Sequence, residues 1–217
     1  MQQILMMSQI IPNLSVDCAV FGFDQEGLKL LLIRRDKEPA MNSWSLPGGY
    51  IYLDENPDDA AKRLLNELTG VHDLFLSQIA VFGEVNRYPA GRVISTVYCA
   101  LVRPDVFELM AGSHAREVAW HPVEKLPELP FDHPEMVHTS LQWLQRKIWH
   151  KPIANNLLPR KFPLNQLHNL YEAIMGSKID NRNFRKKVLS QNLIIQLEEK
   201  TKGGVQRPAY LYSFRIN

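Results

Sequence analysis

Cysteine is scarce in this chain: only Cys18 and Cys99 occur among 217 residues. Two thiols form at most one disulfide, which excludes a disulfide-stapled scaffold, and their apolar surroundings read as small core residues of a reducing compartment. Long apolar runs are missing too. None approaches the roughly 18 consecutive residues that a membrane-crossing helix needs. The opening Met1–Leu14 lacks a basic leader region and is interrupted by Gln, Ser and Pro12, so no secretory signal is expected. A cytoplasmic protein with no membrane partner follows as the expectation. Seven histidines are scattered without a ligand spacing such as H-E-x-x-H, which leaves no zinc site, no other metal and no cofactor to assign. Internal repeats and low-complexity tracts are also absent. Hydrophobic residues at 45% and charged residues at 22% exclude a disordered or collagen-like chain.

What is present is a hidden division of charge. The net charge is +2, yet residues 1–150 carry 13 Lys and Arg against 19 Asp and Glu, while residues 151–217 carry 12 against 4. An acidic front joined to a basic tail suggests two modules, the smaller one facing a polyanion, although a solvated basic face would look the same by charge alone.

Element signals agree with that division. Residues 15–23 and 28–34 are β-rich or apolar runs around Asp24-Gln25-Glu26-Gly27, which predicts a hairpin. Asn56-Pro57-Asp58-Asp59 predicts a helix start and Gly70 its stop. Further strands are expected over 76–84, 92–102 and 117–121, and an amphipathic helix over 136–149. Residues 151–163 hold three prolines and little periodicity, so they read as a linker. Beyond it Leu164, Leu167, Leu170, Tyr171 and Ile174 keep helical spacing up to Gly176, Asp180 can cap a second short helix over 181–190, and two β-like runs follow at 193–198 and 209–215. Helix, helix, hairpin is the order of a winged helix-turn-helix.

The segment Gly49–Val71 reads GYIYLDENPDDAAKRLLNELTGV. It resembles a Nudix box, G-x5-E-x7-R-E-U-x-E-E-x-G-U with U aliphatic. Gly49, Glu55, Arg63, Leu65, Glu67, Gly70 and Val71 stand at the required spacing, preceded by a family-like Trp44-Ser45-Leu46-Pro47-Gly48-Gly49. Enzymes of that family hold Mg²⁺ through clustered helix carboxylates, because a hard ion needs oxygen ligands. Here Leu64 and Leu68 replace two of them. Only Glu67 survives of that trio, so the resemblance implies residual Nudix positions at Glu55, Arg63 and Glu67 and no expected catalysis. Glu55 and Arg63 can instead pair to hold loop against helix. Gly48 and Gly49 are expected to serve backbone conformation. Asp17, lodged in an apolar strand, is either a satisfied buried carboxylate or a polar wall of a pocket. Arg34, Arg35, Arg87 and Arg92 with Trp44, Phe82 and Glu84 could line a site for an anionic or sugar effector, against the plainer reading of exposed arginines and core aromatics.

In the rear module Asn181, Arg182, Asn183, Arg185, Lys186 and Lys187 decorate one short helix that Phe184 and Val188 would anchor. Arginine reads guanine edges, asparagine reads adenine edges, and cations bind phosphate. We expect Asn181, Arg182, Asn183 and Arg185 at or near bases. Lys186, Lys187, Lys202 and Arg207 are expected at phosphates, with Arg160, Lys161 and Lys200 able to clamp the flanking backbone.

A degenerate Nudix domain followed by Leu170–Ile174 with Gly176, Asp180–Lys187 and Arg207–Phe214 resembles the Nudix-related transcriptional regulators of NAD metabolism and of sugar utilisation, including arabinose. Residues 38–41 and 58–63 look nearest the arabinose type. The resemblance implies an α+β chain, a Nudix-type α/β/α sandwich over 1–150, a linker over 151–163 and a winged helix over 164–217. It further implies a homodimer on a duplex DNA operator, controlled by a small-molecule effector, either a sugar or ADP-ribose. The alternatives are a Mg²⁺-dependent Nudix hydrolase with relocated carboxylates at Glu84 or Glu117, and an adaptor whose basic module binds protein or RNA.

Overall fold

Side-chain alternation in the first strand decides how the layers form. Val16, Cys18 and Val20 point to one apolar cluster, and Ala19, Phe21 and Phe23 point to another, as the two-residue period of a strand buried on both faces requires. The computed structural model describes residues 10–112, 114–150, 153–201 and 208–215. Strands β1 (Ile10–Asp24) and β2 (Gly27–Arg35) form the expected hairpin, pairing Asp24 with Gly27. The sheet is completed by β3 (Trp44–Ser45), β4 (Gly48–Tyr52), β5 (Ser77–Phe82), β6 (Ile94–Val102) and β7 (Ala115–Pro122). Its main path runs β3-β2-β1-β6-β5, with β4 beside β1 and β7 beside β2. Only β1 and β6 run parallel; the other pairs are antiparallel.

Helix α1 (Pro57–Thr69) closes one face. It begins where the Asn56 side chain accepts a hydrogen bond from the Asp59 amide, and it ends at Gly70, whose φ of 75° puts it in the left-handed region. Both are the capping devices that the sequence predicts. Leu64, Leu65 and Leu68 turn inward from it. Helix α2 (His133–Lys147) closes the other face, with Met136, Ser140, Leu144 and then Ile148 in a buried stripe four residues apart. It starts three residues before the expected Met136, because Pro134 in the first turn is compatible with a helix start.

The rear module comprises β8 (Phe162–Pro163), α3 (Leu164–Met175), α4 (Asn181–Ser190), β9 (Ile194–Lys200) and β10 (Tyr210–Phe214). Its three strands lie in the order β8-β10-β9. The stretch expected to be a linker is packed rather than free where it is described: Ala154, Leu157, Leu158 and Phe162 are buried, and Phe162 pairs with Tyr212. Proline marks irregular backbone, which need not be exposed. Leu28, Leu30 and Leu32 of β2 share one apolar cluster with α2 and with Leu167, Leu170, Tyr171, Phe184 and Val188 of the rear module. Among the described residues, no helix is long and apolar enough to cross a membrane.

The shared core has a measurable consequence. Leu170→Ala should destabilise the whole chain by about 2–5 kcal/mol, the usual cost of emptying a buried leucine site. Denaturant unfolding followed by circular dichroism and by tryptophan fluorescence should then shift as one coincident transition. A rear module that melts alone while the front stays native would contradict the continuous core.

Candidate effector pocket and DNA-facing helix

The box residues act as a brace. Glu55 accepts from Arg63 through both oxygens, Nε at 2.9 Å and Nη2 at 2.6 Å, and from the Tyr52 amide at 2.8 Å. Arg63 also donates to the Tyr50 carbonyl and to Glu67, each at 3.0 Å, and lies 3.8 Å from the centre of the Tyr52 ring. One guanidinium thereby ties the β4 end to α1, the loop-against-helix role expected of the pair. Its hydrogen bonds hold the Glu55 carboxyl below the usual carboxylate range.

The same geometry does not fit Mg²⁺. Leu64 and Leu68 are buried in the apolar cluster, and Glu67 is committed to Arg63. Among the described residues, no three His, Cys, Asp or Glu side chains converge to hold an ion. The proposed stand-ins are elsewhere: Glu117 pairs with Arg34 on the far strands, and neither Glu117 nor Glu84 lines the pocket.

That pocket has a volume of about 460 Å³ and opens where β1 exchanges β4 for β2 as its neighbour. Asp17, Arg35 and Arg87 line it, joined by Tyr88, Phe131 and His133, which the sequence did not single out. Asp17 is buried but satisfied: it accepts from Ser95 Oγ at 2.6 Å, with Arg87 Nη2 at 3.8 Å and His133 Nε2 at 3.7 Å. It is therefore both of the things the sequence left open. Arg87 forms a two-pronged bond to Asp132, Nε to Oδ2 at 2.7 Å and Nη2 to Oδ1 at 2.8 Å, the strong fork geometry of arginine and carboxylate. The Leu46 amide donates to His133 Nδ1 at 3.1 Å, which places the imidazole proton on Nε2, facing Asp17. Burial lowers the His133 pKa, and the ring is neutral.

Five expected lining residues lie outside the pocket, and Arg34, which pairs with Glu117, is the first of them. Trp44 packs edge-on against His121, 4.4 Å between ring centres, because its β3 segment pairs with Arg34 on the other side of β2. Phe82 packs on the core. Arg92 donates to the Gly83 and Glu84 carbonyls at 2.6 and 2.9 Å, closing the loop after β5. Glu84 supplies that carbonyl from an exposed position. Nor do Gly48 and Gly49 answer a conformational need, since neither has positive φ. Space is the constraint: a Cβ at Gly48 would meet Asp17 Oδ1 at 2.2 Å, and one at Gly49 would meet Leu64 at 2.9 Å.

On α4, Asp180 caps the helix by accepting from the Asn183 amide at 2.8 Å. Phe184 and Val188 are buried, while Asn181, Arg182, Asn183, Arg185 and Lys186 are exposed. Among the described residues, no carboxylate lies within 4 Å of the Arg182, Arg185 or Lys186 cations. Lys187 differs: its Nζ stands 3.7 Å from the centre of the Trp149 ring, toward the front module. Lys161 pairs with Glu199 at 2.6 Å, and Lys200 lies over Tyr210. Lys202 and Arg207 lie outside the described residues.

The brace predicts a pH dependence. Because its folded pKa is depressed, Glu55 contributes full stability above the unfolded value of about 4.3 and loses it as pH falls through the lower folded value. Glu55→Gln should cost about 1–3 kcal/mol at neutral pH and flatten that acid limb in denaturant midpoints measured from pH 7 to 3.

Comparison with known proteins accords with this geometry. The NUDIX domain family matches residues 12–143 and the NrtR DNA-binding winged helix domain matches residues 154–214. The chain is 32% identical over 209 residues to the ADPR responsive transcriptional repressor NtrR of Acinetobacter baylyi, covering 94% of this chain and 83% of that protein. It superposes on Shewanella oneidensis NrtR complexed with a 27mer DNA at a TM-score of 0.79, with 28% identity and 93% of each chain covered. The NUDIX domain of Shewanella oneidensis NrtR complexed with ADP ribose aligns at a TM-score of 0.56 and 29% identity, over 61% of this chain and 88% of that one. The chain belongs to the Nudix-related transcriptional regulators that join a Nudix domain to an NrtR-type DNA-binding winged helix.

Proposed function

We propose that this protein is an ADP-ribose-responsive repressor that binds its operator as a homodimer. The observation that carries the reading is the pairing of a Nudix pocket in which leucines take two of the three metal-holding helix positions with a helix whose exposed arginines have no carboxylate partner among the described residues. A site of this kind keeps the means to bind a diphosphate and lacks the means to cleave it. Arg35 brings a guanidinium to the pocket, Arg87 holds its wall through Asp132, and Tyr88 and Phe131 supply aromatic faces. That chemistry suits the phosphates and the adenine of ADP-ribose better than a bare sugar. The printed function of the Acinetobacter relative and the ADP-ribose complex of the Shewanella domain support the same choice. The arabinose alternative gives way to it.

On DNA, α4 is the recognition helix, with Asn181, Arg182, Asn183 and Arg185 toward base edges and Lys186 toward phosphate. Lys202 and Arg207 add further phosphate contacts. Two copies related by a twofold axis would read a palindromic site. ADP-ribose acts by binding the operator-competent and operator-incompetent arrangements with unequal affinity, because equal affinity would shift nothing.

Arg182→Ala and Arg185→Ala should each weaken specific DNA binding by about 1–3 kcal/mol, read in a mobility-shift assay with the circular dichroism spectrum unchanged. Unaltered binding by the double variant overturns the assignment of α4. Purified protein with Mg²⁺ should leave ADP-ribose intact. Turnover that Glu67→Gln abolishes would instead establish a hydrolase.

A further inference from the structure

Helix α2 starts at the pocket, and the turn that follows its other end packs against α4. At its start, Asp132 is the residue gripped by Arg87, and His133 is held by the Leu46 amide. Immediately before it, Phe131 has a φ of 59°, a left-handed backbone that is costly for a bulky side chain and marks a segment held by its surroundings. The Phe131 ring packs edge-on against Tyr88 and His133, at 5.1 and 5.4 Å between centres, with the Arg35 guanidinium 5.3 Å away. A ligand that engages Arg35, Arg87 or Tyr88 therefore presses on the residues that fix where α2 begins.

At the far end the contacts are equally specific. Gln145 donates to the Ile174 carbonyl at 3.0 Å, and the Tyr171 hydroxyl donates to the Ile148 carbonyl at 2.7 Å. Trp149 packs edge-on against Tyr171 and Phe184, at 4.6 and 6.2 Å, and carries the Lys187 ammonium over its face. Phe184 and Lys187 belong to α4, the helix that bears the DNA-facing arginines. Between the two ends, the stripe Met136, Ser140, Leu144, Ile148 is buried, and the 15-residue helix spans about 22 Å at about 1.5 Å per residue.

We infer that α2 is the element that couples the pocket to DNA binding, with the Arg87–Asp132 fork and the strained Phe131 as its input and Trp149 as its output onto Phe184 and Lys187. The inference rests on the effector reading above. Trp149 and Tyr171 are positioning residues that touch neither ligand nor DNA, and their role is to transmit a shift in α2. Physically, the helix is a packed rod whose displacement by a fraction of a turn would re-seat α4, because an interdigitated core repacks between discrete arrangements rather than deforming smoothly.

The test separates affinity from coupling. A duplex selected from random DNA by the wild-type protein is titrated by fluorescence anisotropy with and without ADP-ribose, and ADP-ribose binding is measured by calorimetry. For Trp149→Leu, ADP-ribose affinity should stay within about threefold of wild type. The ratio of DNA dissociation constants with and without ligand should fall at least about fivefold, and bound DNA should lose its effect on ADP-ribose affinity by the same factor. Tyr171→Phe, which removes one hydrogen bond from the same joint, should move the ratio in the same direction by less. An unchanged ratio in both variants overturns the inference. If the wild-type protein fails to bind ADP-ribose, the effector reading fails separately, and the rod is judged on ligand-free Asp132→Asn by hydrogen exchange. Faster exchange at both 144–150 and 181–190 supports coupling through α2. Faster exchange confined to residues around 132 overturns it.

Discussion

The arrangement depends on one apolar layer beneath the sheet. A module of about 60 residues buries only about 60% of the surface its unfolded chain exposes and is marginal alone. Here the winged helix draws on the underside of β2, where Leu28, Leu30 and Leu32 meet the same cluster that holds Leu167, Leu170 and Tyr171. Helix α4 is therefore seated on the Nudix domain rather than tethered to it. Its orientation is set by close packing against the cluster beneath β2.

The front domain keeps the geometry of the Nudix box while leucines occupy two of its metal-binding positions. The Glu55–Arg63 brace survives because it ties β4 to α1 whether or not a metal is held. Leu64 and Leu68 pack among apolar neighbours and form part of the pocket wall. What the scaffold retains is a pocket whose buried charges are mutually compensated. Arg87, with a side chain only 4% exposed, lies between Asp132 and Asp17; without them its desolvation would be prohibitive. This network fixes the pocket wall and the first turn of α2 with the same few atoms.

Legibility in the sequence followed the range of each interaction. Capping signals are local, so Asn56, Gly70, Asp180 and Gly176 mark their helix ends directly. The basic character of α4 and its Phe184–Val188 anchor were legible for the same reason. The pocket was only partly so. Asp17 announced itself as a carboxylate in an apolar strand, and Arg35 and Arg87 as charges near the box, but Trp44 and Phe82 looked equally suitable and belong to the core side. Tyr88, Phe131 and His133 carried no signal, because they converge from segments far apart in the chain. The prolines of 151–163 suggested a free connector, yet the described part of that stretch buries Leu157, Leu158 and Phe162 and adds a third strand to the wing.

The sequence by itself determined the family, the order of its two modules and the loss of the metal-binding carboxylates, because box spacing, helix caps and charge are properties of neighbouring residues. Tertiary structure alone decided that Glu55 and Arg63 are a brace, that Gly48 and Gly49 are required by space, and that the exposed Lys187 carries its ammonium over Trp149. It also decided that α2 starts beside the pocket and that the turn after it, through Trp149, packs on α4. Those outcomes turn on which side chains from remote segments share a cavity or a face, and only the packed chain brings them within contact distance.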